Sequence, residues 1–189
     1  MRSGAGRQVW HSMGVLLRAR TDDDLAGCVE LARAVHERDG YPHYLPGDFR
    51  DFLVMPDGYG AWVAERDGRI VGHVALRRRT APVPMDLASA ATGQPVDRLG
   101  VISRLLVAPA ARRAGTGRRL LEHGCQQAFS RGLWPVLDVA ADLAAAIRLY
   151  ESCGWVRGGR GHRDLPRRQL AGRTRLPGPA AARCCLTGR

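Results

Sequence analysis

The chain predicts a mixed α/β layer fold, with elements in the order β–α–(α)–β–β–β–α–β–α. Three observations carry that reading. Apolar positions Leu25, Cys28, Val29, Leu31, Ala32 and Val35 repeat at helical spacing behind an acid-rich start. Two strand-like runs, Ala61 to Glu65 and Ile70 to Leu76, flank an Asp-Gly pair. The apolar run Val101 to Val107 then passes through a turn of small residues into an amphipathic segment, Arg118 to Phe129.

Val15 to Ala19 reads as a short first strand. Thr21 supplies an N-cap, and Asp22, Asp23 and Asp24 place negative charge where a helix N-terminus favours it. The helix runs to Gly40. His36 to Tyr59 is irregular, aromatic and acidic, with one short helix expected around Phe49 to Met55. Arg66-Asp67-Gly68-Arg69 is the hairpin turn between the two strands. Thr80 to Leu99 reads as a loose Ala/Pro connection. Val136 to Val139 is a further strand, Ala144 to Cys153 a helix, and Gly154 its stop.

The 189 residues suit one domain with a sizeable core. The net charge of +11 suggests nucleic acid until it is located. Residues 157–189 hold nine Arg against one Asp, and residues 1–14 hold two Arg, so residues 15–156 are nearly neutral. A basic binding face is therefore not indicated, and no nucleic-acid partner is expected. The five cysteines are odd in number, lack metal-ligand spacing and fit a reducing cytoplasm, so no metal is expected. No apolar run approaches the roughly 20 residues that span a bilayer, which argues against a membrane role. The absence of lysine and asparagine reflects composition bias more than a physical demand for arginine.

The turn Arg112-Arg113-Ala114-Gly115-Thr116-Gly117 is the most informative stretch. The first N–H groups of a helix lack internal partners, and the dipole adds positive charge there, so a strand–turn–helix of this kind binds anions. Gly115 and Gly117 would let a diphosphate approach the backbone without meeting a Cβ. The spacing is not that of a P-loop, which requires lysine. A dinucleotide-binding turn is also excluded, because Leu120 stands where its third glycine would be. A strand ending Leu105-Leu106-Val107-Ala108-Pro109, then R-x-x-G-x-G opening a helix, resembles the pyrophosphate motif of the GNAT N-acetyltransferase superfamily. Ala146-Ile147-Arg148-Leu149-Tyr150-Glu151-Ser152-Cys153-Gly154-Trp155 is similar to the second motif of that family, in the same order along the chain.

The resemblance implies the GNAT acyl-CoA N-acyltransferase fold, a mixed central sheet flanked by helices, over residues 15–156. It implies acetyl-CoA as cosubstrate, held between the strands at 101–107 and 136–139. The pantetheine arm would pair with backbone groups of Leu105, Leu106 and Val107, and the pyrophosphate would sit on the N–H groups of Arg112, Arg113, Ala114, Gly115, Thr116 and Gly117. A primary amine of a small molecule or protein would attack directly, and Tyr150 would return a proton to the departing thiolate. The family often has Asn seven residues before this tyrosine, and here that position is Leu143, with Asp142 beside it. Candidates for the general base are Glu65, His73, Ser103 and Asp138. His36, Tyr41, His43, Tyr44 and Asp48 would lie over the acceptor side, as an aromatic and acidic surface suited to a small cationic amine. The enzyme is expected to be cytoplasmic and bacterial, as a monomer or homodimer.

The resemblance stops after Trp155-Val156. Residues 157–189 are rich in Arg, Gly and Pro and show no strand alternation, so the closing C-terminal strands are expected to be missing or altered. A disordered tail and a shifted reading frame both explain that composition. Residues 1–14 read as a disordered extension, with Met13 as a possible start. A non-catalytic acyl-CoA-binding module with an incomplete acceptor site is the alternative function.

Overall fold

Thr21 and Asp24 set the start of the first helix. The Thr21 backbone N–H and hydroxyl both donate to Asp24 Oδ2, at 2.7 and 3.0 Å, closing a 3-10 turn over Asp22–Asp24 before α1 begins at Leu25. The structure, a computed structural model, describes residues 14–45, 47–78, 82–160 and 185–188, with residues 82–84, 157–160 and 185–188 given as backbone. The elements are β1 (Leu16–Ala19), α1 (Leu25–Asp39), α2 (Phe49–Leu53), β2 (Gly58–Arg66), β3 (Arg69–Arg77), α3 (Pro82–Thr92), β4 (Leu99–Val107), α4 (Thr116–Phe129), β5 (Trp134–Val139), α5 (Ala144–Ser152), β6 (Val156–Arg160) and β7 (Cys185–Gly188). The mixed sheet has the order β1-β2-β3-β4-β5-β7-β6.

The alternation of each strand divides the core between two faces. Val74, Leu76 and Ile102 meet Leu120, Leu121 and Ala128 of α4, together with Leu137, Val139, Tyr150 and Trp155. On the opposite face Val63 and Leu106 pack against Leu25, Cys28, Leu31, Ala32 and Val35 of α1 and Phe52 and Leu53 of α2. The Asp-Gly hairpin forms as its composition predicts, with φ of 52° at Asp67 and 72° at Gly68.

The segment Thr80 to Leu99, expected as a loose connection, instead carries α3 and a 3-10 turn over Val96–Arg98. Tertiary burial accounts for the helix. Met85 and Ala88, three residues apart, are covered by Leu99, Val101 and Val136, and proline is tolerated in a first helical turn.

Two irregularities of β4 shape the centre of the sheet. Against β3, Leu106 faces His73 but Ser103 faces Ala75, so β4 holds one extra residue, with Arg104 at φ 51°. This bulge resets the alternation: Leu106 returns to the α1 face, while Leu105 and Val107 pack toward the α4 side. Against β5, the parallel pairing covers only Leu99–Val101 with Trp134–Val136. Beyond that point β5 pairs through Val139 with β7, and β4 stays with β3. The two strands therefore part, and residues 102–107 and 137–139 have no ladder between them.

β6 and β7 are short and run parallel to each other. The expected tail begins within β6. Residues 161–184 and 189, on which the expectation of altered closing strands mainly rests, lie outside the described residues, as do residues 1–13 of the expected extension.

Candidate active site

The turn between β4 and α4 has the backbone that its sequence implies. Pro109–Ala111 forms a 3-10 turn, Arg113 has φ 63° and Gly115 φ 78°, and Gly115 occupies the N-cap of α4 with no side-chain cap. Arg119 N–H is bonded to the Gly115 carbonyl at 3.0 Å, so the helix's own ladder begins there and leaves the amides before it to outside partners. The first turn of α4 carries no acid. A Cβ on Gly115 would meet nothing within 4 Å, whereas one on Gly117 would lie 3.1 Å from Leu149 Cδ2 and 3.5 Å from Val107 Cγ2. Gly115 is thus demanded by backbone conformation, and Gly117 by the approach of α4 to α5 and the end of β4.

The arginines of the turn divide between structural and open positions. Arg112 donates through Nε to the Val107 carbonyl at 3.2 Å and through both Nη atoms to the Asp39 carboxylate, fastening the turn to the end of α1. Arg118 reaches the carbonyl and hydroxyl of Ser152, both at 3.2 Å. Arg113 and Ala114 are exposed and Thr116 is buried. A cleft of about 300 Å³ lined by Arg38, Pro109, Arg112 and Arg113 opens beside the turn.

Tyr150 lies on α5 and belongs to the core cluster of Leu137 and Val139 of β5, against which Leu105 and Val107 of β4 pack. It is buried, with its ring centroid 6.0 Å from that of Trp155. Burial raises the phenol well above its ordinary value, and the charge on Asp138 and the Tyr41 phenol push the same way. Tyr41 is likewise pushed up to about 12 by burial, with Arg104 opposing and Asp138 adding to the rise. Tyr41, Arg104, Asp138 and Tyr150 therefore share one electrostatic neighbourhood, drawn from the loop after α1 and from β4, β5 and α5. Leu143, at the position where the family often has Asn, opens α5 without a side-chain cap, and Asp142 beside it lies 3.4 Å from His43 Nε2.

The base candidates separate sharply. Glu65 is bonded to Arg18 at 2.7 Å and belongs to the β1–β2 ion cluster. His73 is fully buried; Nδ1 lies 2.9 Å from the Arg104 carbonyl and Nε2 3.4 Å from Arg20 Nη1. The carbonyl can only accept, so Nδ1 carries the hydrogen, and the Arg20 guanidinium can only donate, so Nε2 is the acceptor of a neutral ring. Burial lowers its pKa to about 4 despite that bond. Ser103 Oγ faces Met55 Sδ at 4.0 Å. Only Asp138 shares the neighbourhood of Tyr150.

The expected acceptor surface also divides. Tyr41 joins the site, with its ring 5.9 Å from Phe52. His36 packs edge-on to Phe49 at 5.5 Å, Tyr44 is exposed, and Asp48 caps α2 by accepting from Asp51 N–H at 2.9 Å. Sequence reasoning missed Arg77, Arg104, Phe52 and Met55. Arg104 had a signal, as the one charged residue in the apolar run Val101 to Val107.

Among the described residues, no group of three His, Cys, Asp or Glu side chains is arranged to hold a metal ion, and no helix is long and apolar enough to cross a membrane.

Solved structures of low sequence identity share this fold. The ribosomal-protein-S18-alanine N-acetyltransferase of Escherichia coli is 21% identical, with TM-score 0.52, over 74% of this chain and 76% of that one. A GNAT family acetyltransferase of Brucella melitensis, solved with acetyl-CoA, is 22% identical, with TM-score 0.51, over 65% and 74%. The PaiA N-acetyltransferase of Thermoplasma acidophilum, solved with coenzyme A, is 15% identical, with TM-score 0.57, over 76% and 91%. No curated protein matches the chain by sequence. The family model described as Acetyltransferase (GNAT) family matches residues 33–155, which takes in the parted strands, the glycine turn and Tyr150. The chain belongs to the GNAT acetyltransferase family, whose members transfer acyl groups.

Proposed function

We propose that this protein is an acetyl-CoA-dependent N-acetyltransferase, with residues 15–156 as its catalytic unit. The observation that carries the reading is the parting of β4 and β5 beside an uncapped helix N-terminus, with a buried tyrosine at the same opening. Leu105, Leu106 and Val107 offer the strand edge to the pantetheine arm, as an added strand would use it. The Val107 carbonyl already accepts from Arg112, and Leu106 pairs with His73 of β3, so the Leu105 backbone groups and the Val107 N–H are the edge's remaining partners. Arg113, Ala114, Gly115, Thr116 and Gly117 hold the pyrophosphate through helix-terminal amides and positive charge. Arg112 fixes the turn and adds its charge at a distance.

An ammonium acceptor first gives one proton to a base, for which Asp138 is best placed, directly or through water. The neutral amine nitrogen bonds to the thioester carbon and the carbon–sulfur bond breaks. Tyr150 gives its proton to the departing thiolate and regains one from the nitrogen as it becomes an amide. Burial keeps the Tyr150 phenol protonated through the physiological range, as a general acid requires. The reading also takes the protein to be cytoplasmic.

An amine screen that follows CoA thiol release tests this, with Tyr150→Phe as control. Loss of a positioned acid lowers kcat about a hundredfold or more, while acetyl-CoA affinity holds. Turnover undiminished in Tyr150→Phe removes the tyrosine from the mechanism. Tight acetyl-CoA binding with no turnover across the screen supports the non-catalytic module instead.

A further inference from the structure

The α1 face of the sheet holds two guanidinium groups that the transfer chemistry does not use. Arg104 Cζ lies 4.9 Å from the centroid of the Phe52 ring, and its Nε and Nη1 are shut off from solvent with no hydrogen-bond partner. Arg77 stands opposite Val101 in the β3–β4 register, and its Nε is also buried without a partner. Among the described residues neither arginine forms a salt bridge.

This is an expensive arrangement for a fold. A buried donor left unpaired loses its hydrogen bonds to water with nothing in return, and the loss is larger when the group is charged. Burial and the nearby Arg77 charge lower the Arg104 pKa to about 10, and Arg20 adds to the repulsion. Asp57 and Tyr41 oppose it, but Asp57 is exposed and makes no ion pair with Arg104. Two forked cations whose buried donors lack hydrogen-bond partners suit an anion that arrives from outside, and a planar carboxylate matches the guanidinium fork.

Tyr41 lies within electrostatic reach of Arg104, Asp138 and Arg77. A ring that feels both guanidinium charges and the Asp138 carboxylate marks a neighbourhood that matches a molecule bearing both an anion and an ammonium. The two acids nearby disfavour a doubly charged phosphate, and a singly charged carboxylate meets less repulsion.

We propose that Arg104 and Arg77 form a carboxylate-binding subsite, and that the acceptor is a small amino-carboxylic acid rather than a plain amine. The proposal rests on the transferase reading for the amine, but the subsite can be tested without it.

The test uses the full-length protein, acetyl-CoA and matched pairs: glycine, L-alanine, β-alanine and L-glutamate against their α- or terminal-carboxyl amides. CoA thiol release is followed for wild type, Arg104→Gln, Arg77→Gln and Arg104→Lys, each checked by near-UV circular dichroism. For at least one pair, kcat/KM for the acid should exceed that for the amide by about a hundredfold, because the amide leaves the buried guanidinium unpaired. That ratio should collapse toward one in Arg104→Gln or Arg77→Gln and recover in part in Arg104→Lys, with the acetyl-CoA Kd held. Amides turned over as well as acids, or a preference untouched in both Gln variants, overturns the subsite while leaving the transferase reading intact. If nothing is turned over, or acetyl-CoA does not bind, calorimetric titration of the same acids into the folded protein decides. Heat from acids that amides do not give, lost in Arg104→Gln, supports the subsite, and its absence overturns it.

Discussion

His73 Nδ1 lies 2.9 Å from the carbonyl oxygen of Arg104, and this bond holds the β4 bulge. A non-glycine residue at φ 51° stores strain that its surroundings must over-determine. The buried imidazole supplies that restraint, with Arg20 against its other nitrogen. It thereby fixes the parity that sends Leu106 to one face and Leu105 and Val107 to the other.

The clamp makes stability pH-dependent. The ring is neutral in the fold with a pKa of about 4, against about 6.5 when unfolded. Unfolding therefore takes up a proton between those values. The contribution is complete above pH 6.5 and is lost as pH falls toward 4, at up to about 1.4 kcal/mol per unit. Thermal melts from pH 7.5 to 4.5 should show Tm falling in wild type and a shallower fall in His73→Asn, which retains a donor near Nδ1. His123, also lowered by burial, contributes to both and cancels in the comparison. Parallel curves would show that His73 is not held neutral.

A second pH window belongs to Asp24. The Arg18 guanidinium, bonded to it through both Nη atoms at 2.6 Å, holds its carboxyl well below the usual carboxylate range, against the effect of burial. Its stabilisation is present above the unfolded value near 4 and disappears as pH falls below that. Asp24→Asn should cost about 1–2 kcal/mol at pH 7, as judged by urea denaturation. The difference from wild type should shrink as pH drops from 4 to 2, and a constant difference would mean that the ion pair contributes nothing.

Gly117→Ala separates packing from phosphate binding. The added methyl meets Leu149 Cδ2 at 3.1 Å and Val107 Cγ2 at 3.5 Å. It should push α4 from the end of β4, lower stability by about 1 kcal/mol and weaken acetyl-CoA several-fold. Unchanged Tm with weakened acetyl-CoA would assign the glycine to the ligand alone. Loss of stability with unchanged affinity would assign it to packing alone.

Local signals made most of the architecture legible. Leu25 to Val35, Asp67-Gly68 and the Gly115 turn each carry a pattern or a φ requirement that composition reveals, and all three form as read. α3 was not legible, because Met85 and Ala88 become helical through burial under strands from elsewhere in the chain. Arg112 and Tyr150 could be placed by motif, but the partner of Arg112, Asp39, lies 73 residues away and has no sequence signature. Arg104 and His73 came together through a bulge, a one-residue shift that no periodicity of the apolar run announces.

Calorimetric titration of acetyl-CoA into the full-length protein tests the central claim most directly. The account predicts one-to-one binding with micromolar affinity, weakened in Gly117→Ala and kept in Tyr150→Phe. No binding by protein that circular dichroism shows to be folded would contradict the assignment of the β4–β5 opening and the α4 N-terminus as an acyl-CoA site.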